Sequence, residues 1–259
     1  MRKIIGALSM ALALAAGTAS AQPAPKPKPT IVLVHGAFAD SSGWNGVVTR
    51  LERDGYTVVA AANPLRGLKS DAAQVAALVK AQTGPVVLVG HSYGGLVITE
   101  AAKGADNIKA LVYVAGFLPE AGESAFTLSG KFPGSTLGDA LTAVPLGGGV
   151  NDLYIRPDKF HGQFAADVPV AQTTLMAATQ RPVTDAALNE FATTASWKRL
   201  PTWVIYGSDD RNIPAAVEAF MAERAKARKT VVVQGGSHAL MISNPDKVAA
   251  LIIEAASAP

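Results

Sequence analysis

The sequence predicts an α/β fold, a doubly wound and mostly parallel sheet of about six strands with an inserted, mainly helical cap. Short apolar runs rich in valine and isoleucine alternate with helical patterns, which is typical of parallel strands buried on both faces. The alternation breaks once, between residues 117 and 197. Hydrophobic residues make up 49% of the chain and charged residues 17%, which indicates a packed domain rather than a disordered chain.

The first residues have the features of a secretory signal peptide. Two basic residues precede a short apolar run, and small residues end at Ala21, as at a signal-peptidase site. We therefore expect residues 1–21 to be removed and the protein to be secreted or periplasmic. The alternative, a membrane anchor helix, is disfavoured because the run is short for a span, and no later segment is predicted to cross a membrane. Residues 22–29 alternate proline with alanine and lysine, which predicts an extended tether.

The strands and helices then follow in order. The predicted strands are residues 30–34, 57–61, 85–89, 110–114, 202–206 and 230–233. The predicted helices between and after them are residues 46–53, 70–81, 93–103, 215–227 and 246–256. Residues 30–116 and 198–259 therefore form the predicted core. Residues 117–197 are predicted to be the cap, because a structureless loop of that length is unusual in a compact domain.

A glycine-rich turn follows the third predicted strand and precedes a helical pattern. Its sequence, Gly-His-Ser-Tyr-Gly-Gly at positions 90–95, is a Gly-x-Ser-x-Gly motif in the strand–turn–helix context of a nucleophile elbow. Glycine is expected at positions 90 and 94 because a side chain there would collide with so tight a turn. Ser92 is the candidate nucleophile. The alternative, a phosphate-binding turn, lacks the lysine of a phosphate loop.

A serine hydroxyl needs a base to remove its proton, and four histidines are available. His238 is the candidate because it follows the last predicted strand, at the sheet edge where parallel α/β proteins place their active sites. His91 adjoins Ser92 and is expected to point away from the site. His35 is expected to be structural, and His161 lies in the cap, where a surface or packing role is the default.

An acid should orient the imidazole, and backbone N–H groups should stabilise the developing oxyanion. Either Asp209 or Asp210, after the fifth predicted strand, could be the acid, which gives the chain order serine, aspartate, histidine. The N–H of Tyr93 is one expected oxyanion donor. The other should come from the loop after the first strand, with Ala37 as the first choice and Phe38 as the second.

Together these motifs resemble the α/β-hydrolase superfamily. The resemblance is carried by Val34-His35-Gly36-Ala37, Trp44, the elbow at 90–95, Tyr206-Gly207-x-x-Asp210-x-x-x-Pro214 and the His238 loop. Within the superfamily, the sequence is similar to small esterases related to plant methyl esterases and hydroxynitrile lyases, and to bacterial pyrethroid-type carboxylesterases. The resemblance implies Asp210 as the acid, supports the amides of Ala37 and Tyr93, and implies a sheet reduced to about six strands, because the family's first two strands are absent.

The resemblance implies a serine carboxylesterase that hydrolyses small apolar or aromatic esters through an acyl-enzyme, with no cofactor and no metal. The lyase branch carries a lysine where this chain has Ala239 and a threonine where it has Ala37, so both positions favour ester hydrolysis. Ser92 excludes the dehalogenase branch, which needs an aspartate nucleophile. The alternatives are lyase-like or perhydrolase chemistry on the same triad, or a ligand-binding protein without turnover.

The partner expected from the sequence is a small-molecule ester. A net charge of +3 offers no basic patch for nucleic acid, and the absence of cysteine excludes disulfides and cysteine metal clusters. The cap is expected to form the pocket. The predicted substrate-binding residues are Phe38, Phe117, Leu118 and Trp197, and the further candidates are Phe126, Phe132, Tyr154, Phe164 and Met176.

Overall fold

The computed structural model describes residues 27–259. The predicted signal peptide and residues 22–26 of the predicted tether lie outside the described residues. The core was predicted to begin at residue 30, but residues just before it already pack against the domain. The Lys28 ammonium lies 4.6 Å from the centre of the Tyr56 ring and donates a hydrogen bond to the carbonyl of Asp54. Pro29 is buried, so the last residues of the predicted tether pack on the domain.

The described residues form nine strands. They are β1 (Thr30–Val34), β2 (Val58–Ala61), β3 (Val86–Ser92), β4 (Ile108–Gly116), β5 (Leu141–Gly147), β6 (Val150–Ile155), β7 (Val183–Thr184), β8 (Thr202–Gly207) and β9 (Lys229–Val233). Six of them form one sheet in the order β2-β1-β3-β4-β8-β9, and every neighbouring pair is parallel. The six-stranded parallel sheet confirms the predicted fold class. The order reverses between β1 and β3, and ligand sites of open α/β sheets form at the carboxyl ends of such strands.

The described residues also form eleven α-helices. They are α1 (Asn45–Arg53), α2 (Leu68–Lys80), α3 (Tyr93–Ala101), α4 (Ala125–Ser129), α5 (Leu137–Ala140), α6 (Pro157–Phe164), α7 (Val170–Thr179), α8 (Asp185–Asn189), α9 (Ala215–Arg224), α10 (Leu240–Ser243) and α11 (Pro245–Ser257). Within the described residues, none of these helices has the length and apolar character to cross a membrane.

Two hydrophobic cores lie on opposite faces of the six-stranded sheet. Alternate residues of a strand point to opposite faces, so Ile31 and Leu33 of β1 belong to one core and Val32 and Val34 to the other. Helices α1 and α11 cover the first face, and α2, α3 and α9 cover the second. Burial on both faces explains why the strands read as continuous apolar runs.

The cap lies between β4 and β8, and besides the predicted helices it contains a small sheet. Helices α4 to α8 are accompanied by a three-stranded antiparallel sheet in the order β5-β6-β7. All of β5 after Leu141 is exposed to solvent. A strand without a buried face has no run of apolar residues or strict alternation to mark it, so this sheet was not predicted.

Candidate active site

The turn at Ser92 is as tight as the glycine pattern predicts. Strand β3 ends at Ser92 and α3 begins at Tyr93. Ser92 has φ 54° and ψ −124°, a strained backbone conformation for a residue with a side chain. A Cβ atom on Gly90 would lie 2.5 Å from the carbonyl oxygen of Gly94, so only glycine fits there. The turn places the Ser92 hydroxyl at the N-terminus of α3, where the helix dipole favours negative charge.

The ring of Tyr93 fixes this turn to the neighbouring helix α2. Its hydroxyl donates a hydrogen bond to Oδ2 of Asp71 at 3.0 Å, and both side chains are fully buried. Burial raises the pKa of Asp71, although hydrogen bonds from the Arg66 N–H and from Tyr93 oppose that shift. Burial and the neighbouring Asp71 raise the pKa of Tyr93, so its proton stays in the hydrogen bond. No motif in the sequence singled out Asp71 for this role.

The structure brings Asp210 and His238 together across two loops. Asp210 Oδ2 lies 2.6 Å from Nδ1 of His238, and their side chains are 0% and 1% exposed. The other oxygen of Asp210 accepts hydrogen bonds from the N–H groups of Asn212 at 2.7 Å and Ile213 at 2.9 Å. The carboxylate therefore faces Nδ1, places the proton on that nitrogen and leaves Nε2 as an acceptor. Asp209, the other acid considered, is exposed and accepts from Ser208.

His91 packs against His238, whereas its place in the motif predicts a side chain that points away from the site. Its Nε2 donates to the carbonyl oxygen of His238 at 3.0 Å, and the two ring centres lie 4.7 Å apart. Burial, with a smaller effect of His238, holds the pKa of His91 well below its ordinary value, so His91 is neutral. The elbow and the histidine loop are therefore in direct contact. The Gly-x-Ser-x-Gly motif alone does not predict this contact, because the His91 side chain reaches the loop that follows a different strand, β9.

His35 is structural, as expected, and it holds the loop after β1. Its Nε2 accepts a hydrogen bond from the Asn63 N–H at 3.0 Å, so Nδ1 carries the proton and donates to the Gly36 carbonyl at 3.0 Å. Burial lowers the pKa of His35, which keeps the ring neutral. A Cβ atom on Gly36 would lie 2.6 Å from Cβ of Ser92. The loop therefore passes directly against the candidate nucleophile.

Two backbone N–H groups beside Ser92 are available as oxyanion donors. Tyr93 is the first residue of α3, so its N–H has no partner within that helix. The Ala37 N–H donates no hydrogen bond within residues 27–259. The Phe38 N–H, the second choice, donates to the Arg181 carbonyl at 3.0 Å and is therefore occupied. Ala37, Ser92 and Tyr93 line the same cavity, so the two expected oxyanion donors and the candidate nucleophile lie together.

The Ser92 hydroxyl faces this cavity and is not hydrogen-bonded to His238. Within the described part of the chain, its Oγ atom has no hydrogen-bond partner. Nucleophile–base hydrogen bonds are often loose in ligand-free sites and tighten when substrate binds. The contact between His91 and the His238 backbone keeps the two loops adjacent.

The cavity has a volume of about 470 Å³ and lies between the core and the cap. Phe38 and Phe117 line it, as expected for two of the predicted substrate-binding residues. Within the described residues its walls carry one charged side chain, Asp185. Asp185 accepts from Nδ2 of Asn151 at 2.7 Å, and this contact lowers its pKa. The cavity is therefore apolar apart from one carboxylate and a few neutral polar groups.

Leu118 and Trp197, the other two predicted substrate-binding residues, do not line this cavity. Leu118 is fully buried, and its N–H faces Sδ of Met221 at 3.2 Å. The indole N–H of Trp197 donates to the Pro119 carbonyl at 2.7 Å, and its ring lies 5.5 Å from the Arg224 guanidinium. Both residues pack the junction of core and cap.

The further candidates divide in the same way. Phe126 lines the cavity. Met176 lines a neighbouring cavity of about 380 Å³, and Phe132 packs against Phe220. Phe164 packs edge-on against the His238 ring, with the ring centres 5.2 Å apart. Chain position near the motifs did not distinguish these roles, because a side chain's direction depends on the cap's own fold. Within the described residues, no cluster of three or more histidine or acidic side chains could hold a metal ion.

Comparison with known proteins finds similar hydrolases and a similar fold. An alpha/beta hydrolase of Aspergillus novofumigatus is 30% identical over 249 residues, covering 87% of this chain and 96% of that protein. A pyrethroid hydrolase of Sphingobium wenxiniae is 27% identical over 256 residues, covering 88% of each chain. The crystal structure of polyneuridine aldehyde esterase superimposes with a TM-score of 0.76 at 18% identity, covering 88% of this chain and 99% of that one.

These similarities confirm the predicted resemblance to the branch that contains pyrethroid hydrolases, and the last one confirms the fold. The model of the alpha/beta hydrolase family matches residues 31–251. That span includes β1 from Ile31 onward and β3, the two strands between which the sheet order reverses. It also includes the elbow and the two loops that carry Asp210 and His238. The chain belongs to the alpha/beta hydrolase family.

Proposed function

We propose that this protein is a serine carboxylesterase that hydrolyses small, apolar or aromatic esters through an acyl-enzyme. The observation that carries the proposal is the buried Asp210–His238 pair at 2.6 Å, in a loop that directly contacts the Ser92 elbow. A strained serine beside an oriented imidazole is the arrangement that activates a hydroxyl for acyl transfer. The esterases and hydrolases among its relatives support the same reaction class.

In this mechanism each group has one role. His238 Nε2 removes the proton of Ser92 as Oγ attacks the acyl carbon, and the Ala37 and Tyr93 N–H groups stabilise the oxyanion. The protonated imidazole, stabilised by Asp210, then gives its proton to the departing alcohol. Water attacks the acyl-enzyme, with His238 removing its proton, and the acid leaves as Ser92 regains its hydrogen. No cofactor is part of this proposal.

The cavity supports an uncharged substrate. A carboxylate on the substrate would meet no basic side chain among the described lining residues and would lie near Asp185, so its lost hydration would not be compensated. The apolar walls instead favour alkyl and aryl groups. The predicted export of the mature chain, together with this pocket, suggests an ester from outside the cytoplasm.

The test is a panel of p-nitrophenyl and aryl esters of increasing acyl length, with a matched set that carries a terminal carboxylate. We expect turnover of the uncharged esters, a decline once the acyl group exceeds the cavity, and poor turnover of the anionic set. The Ser92→Ala variant should lose hydrolysis and labelling by a fluorophosphonate. Ser257→Ala, at the end of α11, is the control that should retain both.

Two results would contradict the proposal. Unchanged hydrolysis by Ser92→Ala would show that another group performs the reaction. A wild-type protein that is folded yet is neither labelled nor active on any ester would favour a ligand-binding role. Inclusion of a cyanohydrin in the panel separates hydrolase from lyase chemistry, because the lyase releases cyanide and a carbonyl compound.

A further inference from the structure

We propose that Asp167, a cap residue, is a positioning residue for His238, so that the cap helps to hold the base as well as enclosing the substrate. The proposal rests on the function proposed above for His238. It starts from Ser237, the residue before His238, whose hydroxyl donates a hydrogen bond to Oδ1 of Asp167. The Ser237 N–H donates to Oδ2 of the same carboxylate at 3.2 Å. Both oxygens of Asp167 therefore bind one residue of the histidine loop.

Ser237 also links Asp167 to the backbone of Ala239, the residue after His238. The Ala239 N–H donates to Oγ of Ser237 at 3.3 Å, and Ser237 is 2% exposed. Asp167 and Ser237 thus fix the backbone on both sides of His238. Two charge-assisted hydrogen bonds to one carboxylate restrict its orientation more than a single contact would.

The same cap segment also contacts the ring itself. Phe164, the last residue of α6, is fully buried and packs edge-on against His238 at 5.2 Å between ring centres. Its segment continues through a turn, closed by a 3.1 Å hydrogen bond from the Val168 N–H to the Ala165 carbonyl, which contains Asp167. From the core side, His91 binds the His238 carbonyl. The imidazole is therefore packed between His91 of the core and this cap segment, while Asp210 binds its Nδ1.

This arrangement links the position of the cap to the direction of Nε2. If the segment moved away, Asp210 would still bind Nδ1, but the loop would lose two bonds and one packing face. Catalysis is sensitive to such changes, since a misplacement of about 1 Å can cost about 100-fold in rate. A ligand that fills the cavity and stabilises the cap would by the same contacts stabilise the base.

The test compares two aspartates that each attach the cap to the core. Asp167→Ala removes the contact with the histidine loop. Asp152→Ala is the control, because Asp152 of β6 binds the Arg66 guanidinium at 2.6 Å and, within the described residues, makes no hydrogen bond to the histidine loop. We expect Asp167→Ala to lower kcat by about 10- to 100-fold with KM nearly unchanged. Asp167→Asn, which keeps one acceptor oxygen, should lie between it and the wild type. Asp152→Ala should retain kcat.

A second measurement needs no substrate. The proton between His238 Nδ1 and Asp210 should give a downfield NMR resonance in the wild type and in Asp152→Ala, and a broadened one in Asp167→Ala. Wild-type kcat and resonance in Asp167→Ala, or equal losses in both alanine variants, would overturn the proposal. If the wild type hydrolyses no ester, the esterase proposal fails, while the resonance still decides whether Asp167 holds the histidine.

Discussion

The buried carboxyl group of Glu218 should make the stability of the protein fall as the pH rises. Glu218 lies in α9, is fully buried, and neither carboxyl oxygen has a hydrogen-bond partner within the described residues. Burial raises its pKa well above the ordinary value of 4.5, and the negative charge of Asp210 adds to that shift. An ionised carboxylate without a partner is costly in such a site, so the folded protein keeps this group protonated.

The sign and size of the effect follow from proton binding. Above pH 4.5 the unfolded chain ionises Glu218, while the folded protein does not until its raised pKa is reached. The folded state then binds one proton more, so the free energy of unfolding falls by about 1.4 kcal/mol per pH unit from this group. Glu218→Gln has a similar shape and no charge at any pH. It should match the wild type in acid and become more stable than the wild type, with this slope, as the pH rises.

The assay is urea unfolding across the pH range, with the variants compared at each pH. Glu223→Gln is the matched control, because Glu223 lies in the same helix with its side chain exposed and stays hydrated when the protein folds. It should show no comparable slope. The pH at which the Glu218 slope ends measures the pKa of that group in the folded protein. A pH-independent difference, or a glutamine variant less stable than the wild type at neutral pH, would refute the reasoning.

Three further substitutions test other parts of the site. Gly36→Ala places a Cβ atom 2.6 Å from Cβ of Ser92, and it should destabilise the protein by about 1–3 kcal/mol and lower kcat, as thermal unfolding and ester hydrolysis would show. Asp210→Asn keeps an acceptor oxygen for the two loop N–H groups but turns its NH₂ toward Nδ1, which forces the wrong histidine tautomer. Its kcat should fall by about 10⁴-fold, and a loss below 10-fold, by the same assay, would contradict the tautomer argument. Trp197→Phe removes the 2.7 Å hydrogen bond to the Pro119 carbonyl, so the free energy of unfolding, measured with denaturant, should fall by about 1 kcal/mol. KM should be unchanged, and a changed KM would place Trp197 at the substrate.

The core strands could be predicted from the sequence because burial on both faces leaves a direct sequence signal. Strand β1 was predicted with the bounds that the structure gives. Four of the other five strands differ by at most two residues at either end, and β3 continues three residues beyond its predicted end, to Ser92. The cap sheet gave no such signal, because β5 is exposed on both faces. Its residues are ordered by pairing with β6, and that pairing is a tertiary property that one-dimensional patterns do not contain.

The candidate site shows the same division between local and tertiary information. Ser92 and the loops of Asp210 and His238 are recognisable because their chemistry needs particular residues at particular strand ends. Side-chain direction is a different matter. Adjacent residues at the end of β4 point to different places, so Phe117 lines the cavity while Leu118 is buried in the core. The contact of Asp167 with the histidine loop joins residues 70 positions apart, and no pattern along the chain predicts it.

Three of the seven buried side-chain atoms without a hydrogen-bond partner in the described residues belong to residues beside the proposed triad. They are both carboxyl oxygens of Glu218, whose pKa is raised further by the charge of Asp210, and Nδ1 of His91, whose ring packs against the His238 ring. Each such group costs about 1–3 kcal/mol, and the positive φ of Ser92 costs a similar amount.

A sequence selected only for stability would remove these features, since an apolar residue in place of Glu218 would leave no buried polar group without a partner. Their position argues that the region is shaped by the geometry that the hydroxyl and the imidazole require. Stability must then come from contacts elsewhere, such as the two large cores on either side of the sheet. Substitutions that relieve strain at the elbow or remove buried polar groups without partners should therefore stabilise the fold. Those that also shift Ser92 or His238 should lower turnover.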